Sequence, residues 1–177
     1  SITPEREWWD LTYYHLDIQV NPSDSSINGR NTVTYRVKRS AETMQIDLQP
    51  PLEIKKATQN GRDLEFSREG NVFWIRMAGT QEPGSICSVE LTYGGKPKVS
   101  NRPPWEGGIT WRTDSKGLPF IASSCQGDGA SLWWPCKDHM YDEPDSMLIS
   151  VTVPSGLMNV SNGRLRSTVR NRNNTTK

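Results

Sequence analysis

Tyr14-His15-Leu16-Asp17-Ile18-Gln19-Val20 is the run that decides the fold. Its apolar residues alternate with His15, Asp17 and Gln19. Successive side chains of a strand point to opposite faces, so this stretch offers one face to a core and one to water. Pro22 ends the run. The same period resumes in residues 27–37 through Val33, Tyr35 and Val37, and briefly at Ile46 and Leu48 before Pro50-Pro51. Residues 54–66 fold back at Asn60-Gly61, a pair that tolerates the positive φ of a two-residue hairpin turn. Residues 72–77 and 86–93 alternate again, the latter with Cys87, Val89, Leu91 and Tyr93 on one side. After a long irregular section, residues 147–153 alternate through Ile149, Val151 and Val153. A last hairpin is expected over residues 158–169, turning at Asn162-Gly163, followed by a polar, frayed tail from Arg170. No stretch has a helical period and no internal repeat is visible. Turns recur at the spacing of a sandwich or barrel. The expectation is a single all-β domain over residues 1–177. Its two packed antiparallel sheets form a saddle-like β-sandwich of about eight to ten strands. The core should draw on Leu16, Ile18, Val33, Tyr35, Val89, Leu91, Ile149 and Val151.

Bulk properties narrow the function classes. The net charge of +1 gives no global field toward nucleic acid or an acidic membrane. Arg164, Arg166, Arg170, Arg172 and Lys177 read as a solvated hairpin face and tail rather than a nucleic-acid patch. No apolar run approaches the roughly 18 residues of a membrane span, and no signal peptide is read at the start. Cys87, Cys125 and Cys136 include no C-x-x-C, so free or buried thiols are expected; a Cys125–Cys136 bridge requires an oxidising compartment. An exported or periplasmic location fits the polar, Trp- and Asn-rich surface better than a cytoplasmic one. Asn159-Val160-Ser161 and Asn174-Thr175-Thr176 are sequons with meaning only in a eukaryotic secretory host.

Residues 96–145 break the period with Pro103-Pro104-Trp105-Glu106-Gly107-Gly108, Gly127-Asp128-Gly129 and Trp133-Trp134-Pro135-Cys136. Long irregular segments inside a compact domain are often functional. Yet there is no H-E-x-x-H, G-x-S-x-G, phosphate loop or dinucleotide fingerprint, and no catalytic residue is assigned. His15 reads as a strand-surface residue. His139, Asp138, Asp142, Glu143 and Asp145 lack the spacing of a calcium loop and read as structural hydrogen-bonding groups, so no metal ligand is assigned. The seven Trp residues suit either a sugar-stacking surface or a core that is poor in Leu and Ile.

The order W-E-G-G-I-T-W, F-I-A-S-S-C-Q-G-D-G-A, L-W-W-P-C-K-D, E-P-D-S-M-L-I-S-V-T-V-P over residues 105–154 resembles the closing half of a known domain. That domain is the N-terminal one of the aminopeptidase N and leukotriene hydrolase family of zinc metallopeptidases. Tyr13-Tyr14-His15-Leu16-Asp17-Ile18 resembles the opening strand of the same domain, so the similarity spans nearly the whole chain. His139, Met140, Tyr141 and Asp142 depart from it, standing between Pro-Cys-x-Asp and Glu-Pro-Asp, which many members join directly.

The resemblance implies a non-catalytic domain that covers the active site of a zinc aminopeptidase. Zinc would belong to a thermolysin-like catalytic domain that this chain does not contain. The partners implied are that downstream catalytic domain and the N-terminus of a peptide substrate, with no nucleic acid and no membrane span. Gln126 matches the position where the family places a Gln or Glu against the substrate's free α-amine. Gly127 and Gly129 would admit close backbone approach, Ser124 would share Gln126's side of an extended segment, and Asp128 would assist the ammonium electrostatically. Without the resemblance, Gln126 is a solvent-exposed loop glutamine and Asp128 a turn carboxylate. Two alternatives stand beside this one. The first is a free-standing protein- or carbohydrate-binding module. The second is a scaffold relative without peptidase activity.

Overall fold

The computed structural model describes residues 2–177. Twelve strands form among them: β1 (Trp9–Asn21), β2 (Ser26–Val37), β3 (Ala41–Asp47), β4 (Glu53–Gln59), β5 (Arg62–Asp63), β6 (Phe66–Glu69), β7 (Val72–Gln81), β8 (Ile86–Gly95), β9 (Gly108–Thr113), β10 (Pro119–Ser124), β11 (Ser146–Pro154) and β12 (Thr175–Thr176). Seven of them make one sheet in the order β12-β11-β1-β2-β8-β4-β5, three make a second, β3-β7-β6, and β9 and β10 pair as a ribbon. Helix is confined to one turn at Pro4–Glu7 and a 3-10 turn at Ala130–Leu132. The all-β expectation is met. The strand count exceeds eight to ten because the chain adds two-residue pieces at β5 and β12.

Alternation explains the core. Leu16, Ile18, Val33, Tyr35, Val89 and Leu91 from the large sheet are buried against Ile46, Phe73 and Ile75 from the small one. On the opposite face of the large sheet, Asp17, Arg30 and Glu90 form surface ion pairs at 3.7 and 3.5 Å. The turn at Asn60-Gly61 has φ of 52° and 76°, as expected for a tight hairpin, and joins Gln59 to its partner Arg62. The Trp residues are mostly core: Trp8 and Trp9 lie edge-on to Tyr35 at 5.5 and 5.6 Å, and Trp134 lies edge-on to Tyr14 at 4.9 Å.

Four expectations need correction. The large sheet is mixed, because β11 lies parallel to β1, from Tyr13↔Ser146 to Gln19↔Thr152. A parallel neighbour requires a long crossover, and residues 96–145 supply the length. Ile149 and Val151 are only half-buried, since the edge of the sheet at β11 has less of the second layer over it. The hairpin over residues 158–169 does not form. Met158, Val160 and Leu165 stand 85–87% exposed, and an isolated hairpin without a core face is marginal in water. Finally, the tail is ordered rather than frayed: Thr175 and Thr176 pair with Pro154 and Val153, and Lys177 meets Asp17 at 2.7 Å.

Candidate functional site

The β9–β10 ribbon pairs from Thr113↔Pro119 to Gly108↔Ser124, and at that last pair β10 runs into the loop Cys125-Gln126-Gly127-Asp128-Gly129. The Cys125 carbonyl accepts the N–H groups of Asp128 and Gly129 at 3.2 and 2.9 Å. These bonds reverse the chain and put Gln126 and Gly127 at the tip, both exposed. Gly127 has φ of +83° with open space where a Cβ would stand. Ser124 is half-buried at the end of β10, and the turn ends the alternation before Gln126. Burial pushes the Cys125 thiol above its ordinary value, lowering its reactivity as a nucleophile.

The loop is held by a frame of polar contacts. Asp128 uses its carboxylate structurally, accepting the Gly107 N–H at 2.8 Å. Gln49 donates to the Asp128 carbonyl at 2.7 Å and to the Ser131 hydroxyl at 3.1 Å. Ser131 donates its N–H and hydroxyl to Asp138, at 3.2 and 2.5 Å. The Asp138 N–H donates to Asp47 at 3.0 Å, and Asp47 and Cys136 exchange backbone bonds at 2.8 and 3.0 Å. Gln45 and Arg6 complete the shell around the Asp47 carboxylate. Charge-assisted bonds of this kind are the strong ones, so the loop sits on a firm base.

Gly129 belongs to the base rather than the tip. Its backbone, at φ 86° and ψ 164°, lies in a region open only to glycine. A Cβ there would come within 2.1 Å of an Asp138 carboxylate oxygen. Gly129→Ala is expected to destabilise the domain by about 2 kcal/mol in a urea titration.

A second set of contacts pins the following segment, and here sequence reasoning missed the key residue. Lys137 is buried, its ammonium bonded to the Trp9 carbonyl at 2.7 Å, paired with Asp142 and seated 4.0 Å from the centre of the Trp9 ring. The Lys137 N–H donates to the Tyr14 hydroxyl at 2.8 Å. Asn31 reaches from β2 to the Pro135 carbonyl at 2.9 Å. Desolvation holds the Lys137 ammonium below its ordinary value of 10.5, with Asp142 opposing. Nothing in the alternation marks Lys137, because Trp9 and Tyr14, which bond it, stand over a hundred positions away.

The remaining acidic residues of this loop are not convergent. Asp138 and Asp142 are committed as described, and His139 rests against Tyr141 at 5.5 Å. Among the described residues, no group of three or more His, Cys, Asp or Glu side chains is placed to hold a metal ion. The three cysteines are free thiols, so Cys125 and Cys136 are not bridged. His15 lies 3.5 Å from the Ser150 hydroxyl on the sheet surface. The indoles make no sugar-stacking platform. Trp8, Trp9 and Trp134 are buried, Trp74, Trp111 and Trp133 half-buried, and Trp105 alone is widely exposed. Among the described residues no helix is long and apolar enough to cross a membrane.

No protein-family model matches the chain, and no curated protein matches it. Solved structures do. A two-domain M1 zinc metallopeptidase bound to L-arginine superposes with a TM-score of 0.78 at 22% identity, over 97% of this chain and 38% of that one. The M1 zinc metallopeptidase from Deinococcus radiodurans, bound to a Tyr-Ser-Ala substrate, gives 0.77 at 22% identity, over 96% and 38%. Native yeast LTA4 hydrolase gives 0.72 at 17% identity, over 99% and 28%. The fold of this chain is therefore that of one part of these M1 peptidases. The chain spans less than two-fifths of the length of the structures it matches.

Proposed function

We propose that this chain is the N-terminal, substrate-side domain of a zinc-dependent aminopeptidase, and that Gln126 accepts a hydrogen bond from the substrate's free α-ammonium. The observation that carries this is the placement of Gln126: exposed at the tip of a turn whose base is fixed by Asp128, Gln49, Ser131 and Asp138. An exposed amide on a fixed base is what a positioning contact requires, since its orientation must not be lost when substrate binds. The shared fold with M1 peptidases supports the same reading. Asp128 adds negative charge beside the tip, which favours a cation there. Ser124 and Gly127 shape the adjoining surface. Zinc would be held by a separate catalytic domain, where it would supply the chemistry of peptide-bond hydrolysis. This chain's own part is to bind and orient.

The test uses the protein encoded by the complete reading frame that contains this chain. Gln126→Ala is expected to lower kcat/KM for free-amine aminoacyl substrates by about tenfold or more, the worth of a hydrogen bond to a charged group. Wild-type kinetic constants in the variant would remove the role assigned to Gln126. A wild-type protein without zinc-dependent aminopeptidase activity would remove the wider proposal.

A further inference from the structure

Trp105 has no structural reason to be where it is. The other indoles are buried or half-buried, while Trp105 is 82% exposed. Its backbone is well held: the N–H groups of Trp105 and Glu106 donate to the Arg102 carbonyl at 2.9 and 3.0 Å, and Ser100 donates to the Glu106 carbonyl at 2.6 Å. Two residues on, Gly107 donates its N–H to Asp128, two residues past Gln126. The contact at Gly107 is tight, for a Cβ there would lie 2.2 Å from an Asp128 carboxylate oxygen and 2.6 Å from Leu132. The turn bearing Trp105 and the turn bearing Gln126 are thus locked together as one rim.

We infer that Trp105 is a specificity-determining residue that presents its ring to the first side chain of the bound peptide and favours large apolar or aromatic residues there. This rests on the amine-binding role proposed for Gln126. An indole face gains most from another aromatic or a large apolar group and little from a methyl. A fixed backbone lets that preference be expressed without ordering the loop on each binding event.

The experiment compares Trp105→Ala with wild type in the protein from the complete reading frame, using substrates with Phe, Leu, Ala and Gly as the first residue. The preference for Phe over Ala in kcat/KM is expected to fall about tenfold, with the Ala substrate nearly unchanged. Trp105→Phe is expected to restore most of the preference. Two outcomes overturn the inference while leaving the aminopeptidase proposal standing: an unchanged Phe-to-Ala ratio, or an equal loss on all four substrates together with a lower Tm, which marks Trp105 as a contact between domains. Loss of amine recognition in Gln126→Ala with an intact ratio in Trp105→Ala likewise separates the two roles.

Discussion

Asp142→Ala is expected to destabilise the domain by about 3 kcal/mol, because it leaves the Lys137 ammonium buried without its counter-charge. The side chains of Lys137 and Asp142 are only 2% and 17% exposed, so water cannot replace the lost partner at little cost. The Trp9 carbonyl and ring remain, but they offer dipoles rather than a negative charge. Asp142 also accepts the Leu11 N–H at 3.3 Å, so the substitution loosens the start of β1 as well. Urea denaturation at neutral pH measures the effect. The double variant Lys137→Met, Asp142→Ala is expected to recover much of the loss, since a matched apolar pair leaves no buried charge. A single variant as stable as wild type would show that Lys137 reaches water after all.

The second large effect is alkaline unfolding. Burial pushes the hydroxyls of Tyr14, Tyr35 and Tyr93 above the ordinary value of 10.0, and the Cys136 thiol above 9.0. All four side chains are nearly inaccessible. Each group therefore keeps its proton in the folded state at a pH where the unfolded chain has lost it. The folded state then binds more protons, and stability falls as pH rises. Lys137 works the other way. Its lowered value means that the unfolded chain is the more protonated form below pH 10.5, so its contribution rises with pH until that point and is then flat. Above pH 10.5 the Lys137 contribution is flat, while the buried hydroxyls and thiol, with the half-buried Cys125 thiol beside them, still lose stability, so the balance turns downward. Each group that ionises only on unfolding then costs about 1.4 kcal/mol of stability per pH unit. Tyrosinate absorbance followed with near-ultraviolet circular dichroism should show the buried tyrosines ionising in one cooperative step with loss of tertiary signal. Ionisation of all tyrosines while the tertiary signal persists would contradict the burial assigned to them.

Both effects involve the segment that carries Cys136, Lys137 and Asp142. Lys137, through Tyr14 and Trp9, links the segment carrying Trp134 to the large sheet, and Cys136, through Asp47, links it to the small one. The same contacts support the turn at Gln126 through Asp138 and Ser131. Stability and the candidate site therefore share one frame. Variants in the frame are expected to alter both, whereas Gln126→Ala and Trp105→Ala change exposed side chains and should leave stability near wild type.

Much of the architecture is legible in the linear pattern. Leu16, Val33 and Leu91 announce their burial by alternation, because a strand's side-chain period is two and a one-residue slip would turn an apolar face to water. Asn60-Gly61 announces its turn by its tolerance of positive φ. Local rules fail where the partner is remote. The parallel placement of β11 beside β1 depends on where a fifty-residue crossover returns. Residues 158–169 have the alternation of a hairpin but no apolar surface to rest on, and alternation without burial does not hold a strand pair.

The sequence by itself determined the class of fold, the inward faces of the main strands and the loop in which Gln126 stands. Each of these follows from neighbours within a few positions. Only the tertiary structure decided the mixed sheet, the commitment of Asp128 to Gly107, the packing of Gly129 onto Asp138 and the burial of Lys137 under Trp9. The bond between Tyr14 and Lys137 spans 123 positions. Such contacts form because a polar group removed from water must find a partner in space, and strand period says nothing about which one. That is how the chain holds an exposed glutamine and an exposed tryptophan on two turns joined through Gly107 and Asp128.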